Sequence, residues 1–457
     1  MRTLTILRKK LPKEAFQSNL KAVLQRRSNL LDDRFETEFA TVIDDEGKEV
    51  LMPVTSAKHL PTLISLICEK RGYDEKNTKV IIGVDGGASK IIATLAVVPF
   101  DEKNKQERMC EKQLKDRSKS TSVKRCLVIS RVDSVPENRF NVKVIIDQIN
   151  LPELQKDFCV IGDLKLIDLM VGIQSTSSLY PCPYCEGCKL DRSGRPTNQK
   201  GSWVKGKLRT GRSLKDQYEA YSESGRDRKN LKLYKSVEHM PLYIHPNQED
   251  LLVLDLYPPP QLHTGILGPG NDVFTQLEKH LPSDIEAFKK EFHIKGGGPG
   301  GSLNGPTIKA VLENRGGRLE RLSEVVSKHG PKFKLFIEHL ENLGRLNEAV
   351  NKKVLDKPLI ADIIEDIGKV FKKLQDEFDL SETMKIHVIR SHYMDFFESK
   401  QETLLTYTDE VCESMHSQIK YFESGHRYVN NKKGSQSHAD MQQKSVVHLN
   451  SVNLGDV

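Results

Sequence analysis

Two pairs of residues in this chain have the types and spacing of a metal site. Cys182 and Cys185, in "CPYC", keep the two-residue gap of a zinc knuckle, and His387 and His392, in "HVIRSH", have four residues between them, within the spacing used for zinc. Together they compose a Cys2His2 set, although the pairs are far apart in the chain and ordinary packing would account for either histidine. Cys188 is a third thiol nearby that could compete as a ligand or simply be a small buried residue. A second chemistry belongs to carboxylates. "VIIGVD" closes a β-branched run on Asp85 and "FCVIGD" closes another on Asp163. If those strands are neighbours, the two carboxylates meet at one sheet edge, and their mutual repulsion is normally relieved by a divalent metal. A single strand-end Asp more often makes a turn or a cap. In "YTDEVCESMHSQI", Glu410 and Glu413 fall at i and i+3 of a helix, with Ser417 and Lys420 continuing the stripe, a pattern equally expected of a solvated face.

The elements that must position these residues follow from periodicity. Residues 1–75 read mostly as helix, ending in "TLISLICEKRGYD". From Lys79 the texture changes to five candidate strands: "KVIIGVD", "IIATLAVVPF", "RCLVISRVD", "FNVKVIID" and "DFCVIGD". A charged loop separates the second from the third. "DLKLIDLMVG" reads as a helix leading to the cysteines. From Lys189 to Lys235 the chain holds fourteen Lys/Arg against five Asp/Glu, and residues 240–380 are largely helical, broken by "KGGGPGGSLNGP". Residues 384–457 return to helix and then fray into a polar tail. The organisation expected is a helical region over 1–75, an α/β core over 76–180, a mainly helical insertion over 181–383, and C-terminal helices over 384–457.

Composition narrows the classes. The 457 residues, 37% apolar and 29% charged, suffice for a sizeable core in two or three units, and the net charge of +7 only weakly favours an acidic partner such as nucleic acid. No run approaches the roughly 18 apolar residues that span a bilayer, and the start lacks the apolar core of a secretory signal, so an intracellular protein without membrane contact is expected. Eight cysteines, three of them crowded between 182 and 188, argue for metal over a disulfide framework. A phosphate-binding P-loop is excluded by the missing GKS/T ending.

The order of these blocks resembles the Transib transposases and the catalytic subunit of the V(D)J recombinase. "DGGASK" looks like that family's first-aspartate motif and "GDLKLIDLMVGIQSTSSLYPCPYC" like its second block. "PPPQLHTGILG" is similar to its "LH" segment, which brings His263 near the active site, "KIHVIRSHYMDFF" to its zinc-binding His pair, and "TDEVCESMHSQIKYF" to its final block. The resemblance covers about residues 80 to 450 and implies an RNase H-like mixed sheet flanked by helices and interrupted by a zinc-stabilised insertion. It implies Asp85, Asp163 and Glu413 as the carboxylates holding two Mg²⁺ or Mn²⁺ ions, and one structural Zn²⁺ on Cys182, Cys185, His387 and His392. The implied reaction is a nick at an element end, attack of the freed 3′-hydroxyl to leave a hairpin, then strand transfer into a target. The implied partners are double-stranded DNA and a second copy of the chain, in the nucleus, with room for an accessory protein. The basic tract and the Gly-rich loop would contact phosphates. "ESMHS" and Cys188 depart from the recombinase patterns, which leaves the role of His416 open. A transposase-derived DNA binder without catalysis and an RNase H-like nuclease are the alternatives.

Overall fold

The computed structural model describes residues 28–454 except 88, 100–125, 155, 175–176, 246, 295–302, 353, 409–413 and 421–434. The chain divides into two compact units, one of residues 1–162 with 410–457 and one of residues 163–409. These boundaries differ from the four segments expected: the His-pair helix falls in the second unit, while residues 410–457 join the first.

The first unit is built on a six-stranded mixed sheet. Its strands are β1 (Phe35–Ile43), β2 (Glu49–Ala57), β3 (Thr78–Gly87), β4 (Lys90–Pro99), β5 (Leu127–Asp133) and β6 (Phe158–Ile161), in the order β1-β2-β5-β4-β3-β6. All neighbours are antiparallel except β3 and β6. β1 and β2 correct the helical reading of residues 1–75. "FETEFATVI" is rich in aromatic and β-branched residues, which favour strands, with Phe35 and Val42 buried, and the Asp44 carboxylate closes the hairpin by accepting from the Glu46 and Lys48 amides at 2.9 Å. The helical expectation holds for α1 (Leu60–Arg71), capped by His59 and ended by Gly72 at φ 65°; residues 1–27 lie outside the described residues.

A second correction concerns "FNVKVIID". Its β-branched residues suggest a strand, yet Arg139–Ile149 is a helix, α2. Val142, Ile145, Ile146 and Ile149 recur at helical spacing and are buried, and Asn138 caps the first turn by accepting from the Asn141 amide at 2.9 Å. The expected frayed tail is likewise wrong beyond 435: Gln436–Asn453 forms a helix, α3, with His438, Gln442, Ser445 and Asn450 buried. Ser56 on β2 bonds Gln148 of α2, whereas Arg131 on β5 bonds Ser445 of α3. Ser56 pairs with Ser130 and Thr55 with Arg131, so the two helices cover opposite faces of the sheet.

Helix α3 also completes the sheet's hydrogen bonding. β2 pairs with β5 only through Ser130, Arg131 and Val132. Beyond that point the Asn450 amide takes the place of a strand, accepting from the Val128 amide and donating to the Val128 carbonyl, both at 2.7 Å, while Asn453 donates to the Cys126 carbonyl at 2.8 Å.

The second unit begins with α4 (Leu164–Val171) and a small antiparallel sheet of β7 (Cys188–Leu190), β8 (Pro196–Thr197) and β9 (Ser202–Val204). After α5 (Gly211–Glu223) come a π-helix (Gln261–Leu267) and α6 (Gly268–His280). Then follow α7 (Pro282–Glu291), α8 (Gly305–Leu312), α9 (Arg318–Ser327), α10 (Pro331–Val350), α11 (Lys357–Phe378) and α12 (Met384–Lys400). The helical core is read off the sequence directly: on α11, Ile360, Ile363, Ile364, Ile367, Val370, Phe371 and Leu374 form one buried stripe. No described helix is long and apolar enough to cross a membrane.

Candidate metal centre

The two cysteines lie on the loop before β7 and the two histidines on α12, whose first turn is capped by Thr383. All four side chains are buried, at no more than 1% exposure. Their donor atoms converge: Cys182 Sγ to His392 Nε2 is 3.4 Å, Cys185 Sγ to His387 Nε2 is 3.5 Å, and the two Nε2 atoms are 3.3 Å apart. A tetrahedral zinc with Zn–S of about 2.3 Å and Zn–N of about 2.0–2.1 Å requires S···N edges of about 3.6 Å and N···N edges of about 3.3 Å. The observed edges fit that ion closely. His387 and His392 are five positions apart and so do not share a helix face, but their rings approach at 88° and bring the Nε2 atoms to one point.

The surroundings fix the ligands' protonation. His392 Nδ1 faces Asp395 Oδ2 at 3.0 Å, and Asp395 Oδ1 is held by Lys205 at 2.6 Å. Nδ1–H donating to the carboxylate leaves Nε2 with its lone pair aimed at the cluster. His387 Nδ1 meets Ser391 Oγ at 3.2 Å, and its ring stacks on Trp203, centroids 4.4 Å apart at 17°. Trp203 in turn donates Nε1–H to the Glu382 carbonyl at 3.1 Å. Hydrogen bonding from Cys182, opposed by burial and aided by His387 and His392, holds the Cys185 thiol far below the usual range, while burial pushes Cys182 up. Burial lowers His387; at His392 burial is outweighed by Asp395 and then Cys185, and its pKa rises.

Arg209 organises the knuckle. It is fully buried and donates Nε–H to the carbonyls of Cys182 and Cys185 at 3.0 and 3.1 Å, and Nη2–H to those of Tyr180 and Lys235 at 3.3 and 2.8 Å. The turn also needs its glycines: a Cβ on Gly187 would stand 2.5 Å from the Val204 carbonyl oxygen, and one on Gly206 would stand 2.3 Å from the Glu186 carbonyl carbon. Asp395, Trp203 and Arg209 escaped the sequence reading. The first two carried a signal, a carboxylate one turn beyond His392 and the only tryptophan in the chain. Cys188 is not part of the cluster: it begins β7, paired with Val204.

The carboxylates are placed differently from the sequence expectation in one respect. Asp85 does not close its strand. β3 runs on through Gly86 and Gly87, pairing Asp85 with Ile92 in the hairpin to β4, whereas β6 ends opposite Gly83 at Ile161. Asp85 is therefore two residues past the last β6 pair, on a strand still supported from its other side. Gly86 is packed against the Glu137 side chain, which would meet an added Cβ at 2.5 Å, and Gly87 against the His416 ring. His416, on the helical segment 414–420, brings Nε2 to 3.2 Å from Asp85 Oδ2, an ion-pair approach off hydrogen-bonding geometry. Asp163 caps α4, its Oδ1 accepting from the Leu166 amide at 2.7 Å, which is the ordinary role of such a residue. Glu410 and Glu413 lie outside the described residues. Among those described, the Cys2His2 set is the one group of three or more His, Cys, Asp or Glu that converges tightly enough to hold an ion.

His263 sits half-buried in the π-helix, a local widening often found at functional positions. The basic tract is less free than its composition suggests. Arg209 is buried, and Lys200, Lys205, Arg212, Lys215 and Arg228 all pair with acids, Asp379, Asp395, Glu249, Asp250 and Glu238 among them. Most of the Gly-rich loop lies outside the described residues.

Compared with known proteins, the chain matches no family model and no curated protein.

Proposed function

We propose that this protein is a DDE-type DNA recombinase of the Transib kind, with an RNase H-like core interrupted by the zinc-centred helical unit. It cuts duplex DNA at element ends as a homodimer in the nucleus. The observation that carries the reading is the register of the central strands. An antiparallel meander of β3, β4 and β5 with β6 added parallel to β3 is compatible with the mixed sheet that the resemblance implies. Counting two residues on from the last β3–β6 pair reaches Asp85 on one strand and Asp163 after the other. In this reading Asp85, Asp163 and Glu413 would supply the all-oxygen ligands that hard cations prefer. Two such ions would supply Lewis acidity and an activated attacking oxygen at a phosphodiester. The exposed basic side chains of residues 189–235, buried Arg209 excepted, would contribute phosphate contacts, because exposed ion pairs are weak and exchange readily for a polyanion.

The zinc centre supports the same reading, since two blocks of the resemblance supply its four ligands and the geometry fits the ion. The test is cleavage of an end-labelled duplex bearing the element's flanking sequence, with Mg²⁺ or Mn²⁺, resolved on a denaturing gel. Wild-type protein should give nicks and then hairpins; Asp85→Asn, Asp163→Asn and Glu413→Gln should each lose both products while retaining salt-sensitive binding. Binding without products in the wild type would refute catalysis and leave a DNA-binding protein. Nicks without hairpins or strand transfer would refute recombination and leave a nuclease.

A further inference from the structure

Helices α6, α10 and α11 and the start of α12 surround a cavity of about 270 Å³ that neither the zinc centre nor the proposed reaction uses. Its wall is mostly apolar, with Phe336, Phe371, Leu374 and Ile386 contributing. Three polar atoms interrupt it: Asp272 Oδ2, Gln276 Oε1 and His339 Nδ1 are buried without a hydrogen-bond partner. Asp272 and Gln276 are one turn apart on α6 and so share a face. His339, on α10, is 1% exposed and its ring leans on Phe371, centroids 5.7 Å apart. Burial lowers the His339 pKa to about 4, so the ring is neutral near pH 7. A buried polar atom left without a partner is destabilising, and such exceptions in native proteins concentrate at functional places.

We infer that this cavity is a binding site for a small aromatic amine of one or two rings. Size sets the upper limit: an apolar cavity of about 150 Å³ accommodates benzene, and pockets for drug-sized ligands begin near 300 Å³. Chemistry sets the substituent. Asp272 Oδ2 and Gln276 Oε1 are acceptors, so the guest must donate, and the carboxylate rejects an anion. Asp272 Oδ1 faces Lys385 Nζ at 4.0 Å and its carboxyl also meets the Thr383 hydroxyl, so part of the acid's charge is compensated before any guest enters, and burial raises its pKa, which favours a neutral donor. Phe336 and Phe371 supply surface for a flat ring. The site adjoins the zinc centre through one element: Thr383, which caps α12, and Ile386, which directly precedes the ligand His387, both line the cavity.

The test uses the full zinc-loaded chain and three probes of one shape: 5-aminoindole, 1-methylindole without donors, and indole-5-carboxylate. Calorimetry should show saturable one-to-one binding of 5-aminoindole, binding of 1-methylindole about tenfold weaker, and none of the carboxylate. His339→Leu and Gln276→Leu should each weaken 5-aminoindole by about three- to tenfold, the net worth of one hydrogen bond. Leu374→Trp should abolish binding by filling the cavity. If that variant loses its zinc or its helical circular dichroism, Thr275→Trp at the exposed rim gives the same block. Ordered water alone could occupy these polar atoms, and the inference is overturned if 5-aminoindole shows no saturable binding. It is equally overturned if the three probes bind alike, or if binding survives in a folded blocking variant.

Discussion

Removing the carboxylate behind His392 separates a built zinc site from four residues that merely pack together. Asp395 accepts from His392 Nδ1 at 3.0 Å, is itself 14% exposed, and has its other oxygen on Lys205 at 2.6 Å. Asp395→Asn keeps a carbonyl oxygen for Nδ1–H but removes the charge that raises the basicity of Nε2. Lys205, 41% exposed, returns to water at little cost. Outer partners of this kind are worth about 10- to 100-fold in metal affinity, so Asp395→Asn should weaken zinc about tenfold, or about 1.4 kcal/mol. Asp395→Ala, which also frees the ring to rotate, should approach a hundredfold, or about 2.7 kcal/mol. Elemental analysis should first give one zinc per chain; competition against a fluorescent chelator then gives the affinities. A dissociation constant unchanged within twofold in Asp395→Ala, at full zinc content, would refute the reasoning.

Other perturbations test the sheet unit. Arg131→Met should destabilise it by about 3 kcal/mol in urea titrations, because buried Asp133 would lose both guanidinium bonds and keep only the longer approaches of Lys90 at 3.8 Å and His438 at 3.7 Å, and adding Asp133→Leu should recover most of that. Burial opposes ionisation of Asp133, but Arg131 and then His438 and Lys90 hold its pKa far below the ordinary carboxylate value. The folded state therefore releases this proton more readily than the unfolded one, so the stabilisation is full above about pH 4 and lost as pH falls below it, in wild type but not in the double variant. Asn450→Leu strands both polar groups of Val128 and should cost about 3 kcal/mol, read in the same titration; a loss under about 0.5 kcal/mol would contradict the strand-like role of that amide.

Much of this was legible beforehand. Strands β3 to β6, apart from the intervening "FNVKVIID", and the helices after residue 240 were visible because each carries its burial pattern in a local period. The two halves of the zinc set were visible for the same reason, a short spacing being a local property. The errors were also local ambiguities: "FETEFATVI" sits beside helical runs, and "RFNVKVIIDQI" is rich in β-branched residues that ordinarily favour strands. Only the neighbours available to bury Phe35 and Ile145 resolve those cases.

What the sequence by itself determined was the inventory: which residues could bind metal, which faces are apolar and where turns must fall. The tertiary structure alone decided the pairings. It brought Cys182 and Cys185 against His387 and His392, put His416 beside Asp85, sank Arg209 out of the basic tract into the knuckle, and ended β6 two residues before Asp163. The physical reason is that a period or a cap is encoded within a few residues, whereas a contact across two hundred positions depends on how every intervening helix packs.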